Sequence, residues 1–373
     1  MIGLYVHVPY CSVRCSYCDF YLVTTRGRDL GAFVDGLCGE IAAVGPPLRG
    51  READTVHFGG GTPSLLTVDA LDRVLHALRA SFVIAGEPEI TLEVNPEDVS
   101  DARLEGWHAL GVNRLSIGVQ SLDDPLLEQM RRPHDARRAL AAVAAARRSA
   151  VRSIGVDLIL GLPGQTTAGT LEGVARVLDL GVDHVSLYAL EVHERTALGR
   201  AIALGRRAAM GDDALAALSD AAADLLAAGG LAQYEISNFA RPGHRSRHNL
   251  KYWTDEEYVG FGPSAHSYAG GARWSNPARL DDYIAGRGAA LGRVDEDPSR
   301  VHRASEALLA GLRLVDGVDL GFLQARYGTD FKRPGGRTLD DMEGAGLLES
   351  RGDRLRLTRR GRLVSNEVLA QLI

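Results

Sequence analysis

The chain has 373 residues, 45% of them apolar and 24% charged, which is typical of a soluble globular protein with one large and one smaller domain. Its formal net charge of −6 gives no general basic field, so we expect no nucleic-acid partner. Its apolar runs are shorter than the roughly 18 residues of a membrane span, and its start lacks a signal-peptide pattern. With only four cysteines, the chain fits a reducing compartment, and we expect a cytoplasmic protein.

Strand and helix patterns alternate over the first two thirds of the chain. Strands are predicted at residues 4–9, 55–58, 89–94, 114–119, 154–160 and 184–190. Helices are predicted from beyond Arg28 to about Val44 and at about 68–82, 136–150, 167–180 and 208–228. Such alternation indicates an α/β fold with a parallel sheet and helices on its outer face. Six units are too few for a closed eight-fold barrel, so we predict a partial (β/α)6 TIM-like barrel over residues 1–229, with a lateral opening.

The pattern changes after the barrel. Residues 230–296 are predicted to form a loop-rich accessory segment that contains His248-Asn-Leu-Lys-Tyr-Trp253. Residues 297–373 are predicted to form a small, mainly helical, winged-helix-like domain. Its helices are expected near 300–314, 319–327 and 338–346, with a strand at 354–358 and a last helix over 359–372. Its basic stretch 351–362 is interpreted as a solvated edge rather than a DNA reader.

Three of the four cysteines lie close together, in a C-x3-C-x2-C pattern formed by Cys11, Cys15 and Cys18. Thiolates are soft ligands that suit iron–sulfur clusters, zinc and copper(I). On a four-iron cluster, three thiolates leave one iron open to a small molecule. A zinc site would need a fourth ligand, such as His7, and usually takes two separated pairs of ligands. The sequence offers no second pair, so a cluster is favoured over zinc or chance grouping.

Polar residues and glycines follow the predicted strands, where parallel α/β proteins place their sites. Gly59-Gly-Gly-Thr-Pro63 either allows a ligand to approach the backbone closely or forms a tight turn. Glu93 and Asp157 are charged groups in apolar surroundings, which are costly to bury without a partner. Gln120 lies near a strand end as well, whereas Arg132 suits a site or the surface equally.

The cysteine spacing is that of radical S-adenosylmethionine (SAM) enzymes, and longer segments are similar to one family within that superfamily. The chain resembles the family of oxygen-independent coproporphyrinogen III dehydrogenase, which includes the HemW-type haem chaperones. The resemblance extends over nearly the whole chain and is carried by Tyr5-Val-His-Val-Pro-Tyr-Cys11, Cys15-Ser-Tyr-Cys-Asp-Phe20, Phe58-Gly-Gly-Gly-Thr-Pro-Ser64, Leu115-Ser-Ile-Gly-Val-Gln120, Asp157-Leu-Ile-Leu-Gly-Leu-Pro163 and Leu357-Thr-Arg-Arg-Gly-Arg-Leu-Val-Ser-Asn-Glu367.

This resemblance implies a radical SAM barrel with a [4Fe-4S] cluster on Cys11, Cys15 and Cys18. In the superfamily, SAM chelates the open iron, and an electron from the cluster cleaves it to a 5′-deoxyadenosyl radical. The positions that match the family's SAM-contacting residues are Tyr5, Tyr17, Gly60, Gly61, Thr62, Glu93, Gln120, Arg132, Asp157 and Ala189.

Three features favour the HemW type within the family. The dehydrogenase has a further cysteine where this chain has Phe20, and it has an extension before its first strand, whereas here a strand begins almost at Met1. His248-Asn-Leu-Lys-Tyr-Trp253 matches an H-N-x-x-Y-W element proposed to bind haem in HemW. Imidazole is a common haem ligand, and His248 is the candidate here, with His244 and His266 in reserve. The alternative is a structural aromatic cluster with a hydrogen-bonded histidine.

The resemblance therefore implies a haem chaperone that binds a [4Fe-4S] cluster, SAM and haem and transfers the haem to acceptor proteins. Membrane-associated respiratory enzymes are possible acceptors. We expect SAM cleavage to be absent, slow or regulatory, so enzymatic activity stays open. The alternatives are radical decarboxylation of coproporphyrinogen III, another radical SAM reaction on a porphyrin-like substrate, and a zinc-stabilised binding protein.

Overall fold

The computed structural model describes residues 1–25, 30–44, 47–286, 293–294, 300–331 and 337–372. Its strands are β1 (Ile2–Val8), β2 (Tyr10–Cys11), β3 (Val23–Thr24), β4 (Glu52–Gly60), β5 (Val83–Val94), β6 (Arg114–Gln120), β7 (Ser153–Leu160), β8 (His184–Ala189), β9 (Ala232–Gln233), β10 (Asn238–Ala240), β11 (Tyr258–Phe261), β12 (His266–Ala269), β13 (Ala272–Ser275), β14 (Arg293–Val294), β15 (Val318–Asp319), β16 (Leu348–Arg351) and β17 (Arg354–Leu357).

Its helices are α1 (Leu30–Ala42), α2 (Val68–Ser81), α3 (Asp101–Ala109), α4 (Asp124–Gln129), α5 (Ala136–Arg148), α6 (Thr167–Asp179), α7 (Ala197–Ala203), α8 (Asp212–Ala228), α9 (Arg247–Trp253), α10 (Leu280–Ala285), α11 (Arg300–Leu312), α12 (Leu320–Tyr327), α13 (Arg337–Gly344), α14 (Arg359–Leu363) and α15 (Ser365–Ala370). Two short 3-10 helices follow strand ends, at Pro63–Leu65 and Pro96–Asp98. Within the described residues, no helix is both long and apolar enough to cross a membrane.

The centre of the large sheet is the run β1-β4-β5-β6-β7-β8, and every neighbouring pair in it is parallel. These are the six predicted strands, side by side in chain order. Tyr5, His57, Glu93 and Asp157, on four of these strands, face one cavity, so the sheet curves around it. The predicted α/β partial barrel is confirmed.

Hydrophobic periodicity and helix caps explain the barrel helices. One hydrophobic cluster packs the sheet against helices α1, α2, α5 and α6. Thr67, Asp135 and Thr166 precede α2, α5 and α6, and the side chain of each accepts a hydrogen bond from a backbone N–H of the first turn. Such caps satisfy donors that a helix start leaves without partners.

Residues 230–296, predicted to be loop-rich, contain more regular secondary structure than expected. The motif that begins at His248 forms helix α9, and β11, β12 and β13 extend the large sheet. Strand β11 pairs in parallel with β1 on the side away from β4, with Tyr5 opposite Gly260. Strand β11 has only four residues, one of them a glycine, which is too short for a clear alternation of apolar and polar side chains. Only its long-range pairing with β1 identifies it as a strand.

The C-terminal segment has a hydrophobic cluster of its own, around Leu308, Leu323 and Leu357. It contains a three-stranded sheet in the order β15-β17-β16 beside helices α11, α12 and α13. Ile236, just before β10, packs against this cluster. The predicted boundary between residues 296 and 297 lies outside the described residues. The predicted last helix is divided at Val364 into α14 and α15.

Candidate functional site

The carboxyl ends of the parallel strands open into a cavity of about 1010 Å³, which we call the main cavity. Helix α8 and residues from Arg359 to Glu367 form other parts of its wall. Besides the three cysteines, nine of the predicted cofactor residues line it: Tyr17, Gly60, Gly61, Thr62, Glu93, Gln120, Arg132, Asp157 and Ala189. Tyr5 and His248 instead line a cavity of about 340 Å³, the inner cavity, and the two cavities share Glu93 and Asp157 in their walls.

Cys11, Cys15 and Cys18 are half-buried free thiols that face the main cavity. The Thr62 hydroxyl donates to Cys11 Sγ over 3.4 Å, and Arg132 Nη1 donates to Cys15 Sγ over 3.6 Å. Burial raises the pKa of the Cys11 thiol to about 11. A hydroxyl donor and a guanidinium directed at sulfur favour the thiolate form that binds iron.

Other residues hold this cysteine loop in place. Ser16 donates through its hydroxyl to the Gln129 carbonyl over 3.0 Å and accepts at its own carbonyl from Leu198 N over 2.8 Å. Arg195 forms an ion pair with Asp19. The loop is thus anchored to the barrel by residues between and beyond the cysteines, which leaves the thiols directed at the cavity.

The donor set fits an iron–sulfur cluster. Three thiols on one short loop can each bind a different iron of a four-iron cluster, and iron–sulfur clusters are held by cysteine thiolates. In the part of the chain that the structure describes, no three His, Cys, Asp or Glu side chains are placed around one metal ion. A four-iron cluster does not need three side chains around one metal ion, because each thiolate binds a different iron. When bound, it supplies an open coordination position and an electron.

The glycine turn after β4 packs too closely for any side chain. A Cβ on Gly60, whose φ is +108°, would lie 2.7 Å from the His7 ring, and one on Gly61 would lie 2.6 Å from the Tyr10 carbonyl oxygen. The tight-turn interpretation is therefore correct for the backbone. The turn also lines the main cavity and brings Thr62 to Cys11, so it shapes the site as well.

Glu93 is held in place yet open to the main cavity. Its Oε1 lies 2.9 Å from His57 Nε2, and its Oε2 accepts from Gly60 N over 3.2 Å. Its side chain is still 38% exposed. The expected partners of this carboxylate are thus present, and it keeps room for a ligand with hydroxyl or amino donors.

Gln120 has a strained backbone at the end of β6, with φ at +66°. The pairing of β6 with β7 shifts register between Ile117 and Gln120, as in a β-bulge. A non-glycine residue with positive φ is uncommon and clusters at functional sites. Arg132 is fixed beside it, because Nη2 donates over 2.8 Å to both Asn95 Oδ1 and the Gly118 carbonyl. Arg132 therefore lines the main cavity rather than lying on the outer surface, and its role toward SAM stays a prediction.

Asp157 lies within the apolar strand β7, and its carboxylate faces the junction of the two cavities. The Ser116 hydroxyl lies 3.0 Å from Oδ1 and 3.2 Å from Oδ2. Burial raises the pKa of this carboxyl to about 6, against the lowering effect of its hydrogen bonds to Ser186 and Ser116. Carboxyls whose pKa is raised by burial cluster at functional sites.

His248 occupies the inner cavity as a fully partnered group. It is 1% exposed, with Nδ1 at 2.8 Å from Thr55 Oγ1 and Nε2 at 2.8 Å from the Tyr252 hydroxyl. Burial, and then the nearby His57 and Lys251, lower the pKa of this imidazole well below its ordinary value. A haem iron would have to displace one of these partners, so the contacts match the structural alternative. Haem ligation by His248 stays a prediction.

The rim of the main cavity carries side chains that the sequence analysis did not assign to a binding site. Large apolar side chains of the lining are exposed, above all Phe20 at 71%, together with Val13, Tyr188, Leu363 and Val364. His193 also lines this cavity with a part-exposed imidazole, whereas the reserve candidates His244 and His266 are absent from the described lining of either cavity. The lining groups named here come from three separate segments, at 13–20, 188–193 and 363–364, so only the fold brings them together.

Comparisons with protein families and known proteins bear on the whole chain. The Radical SAM superfamily profile matches residues 5–177, and the HemN C-terminal domain profile matches residues 299–364. The haem chaperone HemW of Mycobacterium tuberculosis is 36% identical over 377 residues, covering 100% of this chain and 94% of the relative. HemW of Bacillus subtilis is 32% identical, covering 100% of this chain and 99% of the relative.

Two further similarities extend this result. The mitochondrial radical S-adenosyl methionine domain-containing protein 1 of Bos taurus is 41% identical over 264 residues, which cover 71% of this chain and 60% of the relative. The structure of coproporphyrinogen III oxidase (HemN) from Escherichia coli aligns with a TM-score of 0.86 at 24% identity, covering 100% of this chain and 89% of that one. At this identity, the structural similarity establishes the shared fold alone.

Proposed function

Because the chain belongs to the HemW family of haem chaperones within the radical SAM superfamily, we propose that it binds a [4Fe-4S] cluster, SAM and haem and passes the haem to an acceptor protein. Its main cavity combines three cysteine thiols with a rim of exposed apolar side chains, and this combination carries the proposal. Exposed apolar patches mark ligand and protein-binding surfaces. A cavity of about 1010 Å³ is at the upper limit of small-molecule sites, which span roughly 300–1,000 Å³.

Cys11, Cys15 and Cys18 hold the cluster in this proposal, and SAM lies beside it in the main cavity. Gly60, Gly61 and Thr62 form the wall next to Cys11, while Glu93 and Asp157 offer carboxylates to the amino and hydroxyl groups of SAM. The other SAM contacts are Tyr17, Gln120, Arg132 and Ala189 in the main cavity and Tyr5 in the inner cavity.

Haem is placed at the apolar rim rather than at the buried motif helix α9. Phe20 and Val13, beside the cysteines, and Leu363 on α14 provide apolar contacts for a porphyrin face. His193 offers an imidazole in the same cavity, and imidazole is a common haem ligand. Its Nε2 lies 3.7 Å from Asp19 Oδ2 and 3.5 Å from Glu191 Oε2, too far for a hydrogen bond to hold it.

The proposal also covers the cellular location, the acceptor proteins and the domain division of the chain. Free thiols reserved for a cluster suit the cytoplasm. Haem proteins of respiratory membranes are suitable acceptors, reached through transient contact. The chain is proposed to divide into a barrel at 1–229, an accessory segment at 230–296 and a C-terminal domain at 297–373. The accessory segment supplies strands to the barrel's sheet.

The test is a haem-binding and transfer experiment on the full-length protein. The chain is reconstituted anaerobically with iron and sulfide, titrated with haemin and followed by absorption. The loaded protein is then mixed with an apo-globin as a generic acceptor. The matched control is the chain with Cys11, Cys15 and Cys18 replaced by Ala, which has the same rim and no cluster ligands.

We expect saturable haemin binding followed by transfer to the globin faster than free haemin equilibrates. Failure to bind haemin above the level of serum albumin in the same buffer would contradict the chaperone function. Parallel incubation with coproporphyrinogen III, SAM and a reductant tests the enzymatic alternative. Formation of protoporphyrinogen IX at a catalytic rate would replace the proposed function by the dehydrogenase activity.

A further inference from the structure

Two arginines in the wall of the main cavity have no carboxylate within ion-pair distance among the described residues. Arg313 follows helix α11, and Arg362 lies on α14. Arg359, in the same wall, contrasts with them, because its guanidinium contacts Asp220 over 2.6 Å and Asp224 over 2.8 Å. Among the described residues, neither Arg313 nor Arg362 forms an ion pair. A half-buried guanidinium without a counter-charge is a ready site for an anion.

Arg313 is positioned by an aromatic ring and keeps a spare donor. Its guanidinium carbon lies 4.6 Å from the ring centre of Trp253, the last residue of α9. Arg313 Nε and Trp253 Nε1 are both buried N–H donors without a hydrogen-bond partner in the structure. Buried donors are nearly always satisfied in proteins, so an acceptor from outside the chain is expected here.

Glu235 lies near Arg313 and interacts with its charge, although no ion pair between the two is present among the described residues. Burial raises the pKa of the Glu235 carboxyl, while Arg313 acts to lower it. Glu235 Oε1 instead accepts hydrogen bonds from Asn238 Nδ2 and from Ser237 N. The guanidinium of Arg313, which lines both the main and the inner cavity, therefore keeps hydrogen-bonding capacity for a ligand.

Arg362 lies near Arg356 and Arg359, and also near the acids Asp220 and Glu349, without forming an ion pair with either acid among the described residues. Burial, followed by the charges of Arg356 and Arg359, lowers the pKa of its guanidinium. The one described hydrogen bond of the Arg362 guanidinium runs from Nη1 to the Leu357 carbonyl at 3.4 Å, near the long limit for such a bond. A carboxylate beside Arg362 would relieve the repulsion from its neighbours. Leu363 and Val364, the next two residues, are exposed apolar side chains of the rim.

We propose that Arg313 and Arg362 bind the two propionate carboxylates of haem, while the apolar rim contacts the macrocycle. This inference rests on the proposed function and gives the bound haem an orientation, with its propionates toward the C-terminal unit. Guanidinium groups bind carboxylates through paired, charge-assisted hydrogen bonds. The inference also gives Trp253 of the motif helix a positioning role, because the Trp253 ring packs against the Arg313 guanidinium. Asp212 and Asp213, at the start of α8, repel a carboxylate from their part of the wall.

The experiment compares haemin with haemin dimethyl ester, in which both propionates are neutral. Affinities of the cluster-reconstituted chain for both ligands are measured by absorption titration in wild type, Arg313→Gln, Arg362→Gln and the double variant. Arg351→Gln serves as the matched control, since Arg351 is 66% exposed and outside the described lining of the main cavity. Arg313→Lys keeps the charge, and circular dichroism with iron content verifies that each variant is folded and loaded.

We expect wild type and Arg351→Gln to prefer haemin over the ester by roughly tenfold or more. Each single Gln variant should lose part of this preference, Arg313→Lys should retain more of it than Arg313→Gln, and the double variant should bind both ligands equally. An undiminished preference in the double variant, or equal affinities in wild type, would overturn the arginine assignment and leave haem binding intact. Failure of wild type to bind either ligand would instead remove the proposed function and this inference with it.

Discussion

The cysteine loop and the motif helix α9 are both short sequence motifs, but the fold uses their side chains in opposite ways. The loop directs three thiols into the main cavity and is anchored by Ser16 and Asp19. Helix α9 buries its histidine against Thr55 and Tyr252. In the loop, the distinctive residues are therefore free to bind. In the helix, the distinctive residue is itself part of what holds the structure together.

A motif shared within a family can therefore contain either ligand-binding groups or groups that stabilise the structure, and the hydrogen-bond partners of those groups distinguish the two cases. A group whose atoms are all partnered inside the chain gains little from a ligand, because binding first breaks existing bonds. A group that faces a cavity and has unused capacity for hydrogen bonds or metal coordination can bind a ligand without breaking existing bonds. Four sets of variants test this distinction.

Replacing Cys11, Cys15 and Cys18 together by Ala is expected to abolish the cluster and leave the barrel folded. The loop's main anchors are Ser16 and Asp19, and the thiols add only two long hydrogen bonds to sulfur, so the free energy of unfolding should change by no more than about 1 kcal/mol. Iron and sulfide content after reconstitution and urea unfolding of the apo-protein provide the two readouts. Cys38→Ala, in helix α1, is the control and should retain the cluster. Unfolding of the triple variant would show that the thiols are structural.

His248→Ala is expected to destabilise the protein by roughly 2–4 kcal/mol, because it leaves Thr55 and Tyr252 without their buried partner and opens a cavity. Cluster content per folded molecule should remain that of wild type. Urea unfolding, together with iron analysis of the folded fraction, measures both. A variant as stable as wild type would mean that His248 is not the structural centre of α9.

Asp157→Asn is expected to stabilise the ligand-free protein at pH 7 by roughly 1–3 kcal/mol and to weaken SAM binding. The pKa of Asp157 is about 6 in the folded chain and near 3.9 in the unfolded chain. Between these two pH values the folded chain keeps a proton on Asp157 that the unfolded chain has lost. The stability of wild type should therefore fall as pH rises from about 4 to about 6, and it stays lower above that range.

In Asp157→Asn, this fall should be absent, since the amide does not titrate and can still bond with Ser116. Urea unfolding at a series of pH values, combined with a SAM titration, makes the comparison. The same pH slope in both proteins would show that Asp157 is not the group responsible. An undiminished SAM affinity would remove its proposed role in the site.

Tyr252→Phe is expected to have the smallest effect, a loss of about 1 kcal/mol, because only the hydroxyl bonded to His248 Nε2 is removed. The variant frees Nε2 without deleting the imidazole. In our account, haem sits at the main cavity, so its affinity should remain unchanged. A marked gain in haemin affinity, measured by absorption titration, would identify His248 as a ligand that Tyr252 normally blocks.

Much of the barrel was predictable because its strands are regular and separated by amphipathic helices. All six predicted strands are present, and the predicted family is confirmed by full-length relatives. Helix α3 was not predicted, since its nine residues include Gly106 and bury only two side chains. Strand β5 begins at Val83 rather than 89, because Gly86 and Pro88 interrupt its pattern.

The site was predictable where one segment carries the chemistry and not where several converge. The cysteine spacing and the glycine turn are local patterns, so the sequence alone located them. His193, Arg313 and Arg362 lie in three distant segments of the chain, and nothing in their own neighbourhoods indicates a shared cavity. The burial of His248 depends on Thr55, 193 residues away in the chain, which no local pattern reveals.

The central claim is that haem lies in the main cavity beside the cluster rather than at the motif helix. The most direct measurement is the anaerobic absorption spectrum of haemin bound to reconstituted wild type, His193→Ala and His248→Ala, each at saturation and with folded content verified. We predict that the haem spectrum and affinity change in His193→Ala and persist in the folded fraction of His248→Ala. Loss of the bound-haem spectrum in folded His248→Ala, with His193→Ala unchanged, would contradict the account.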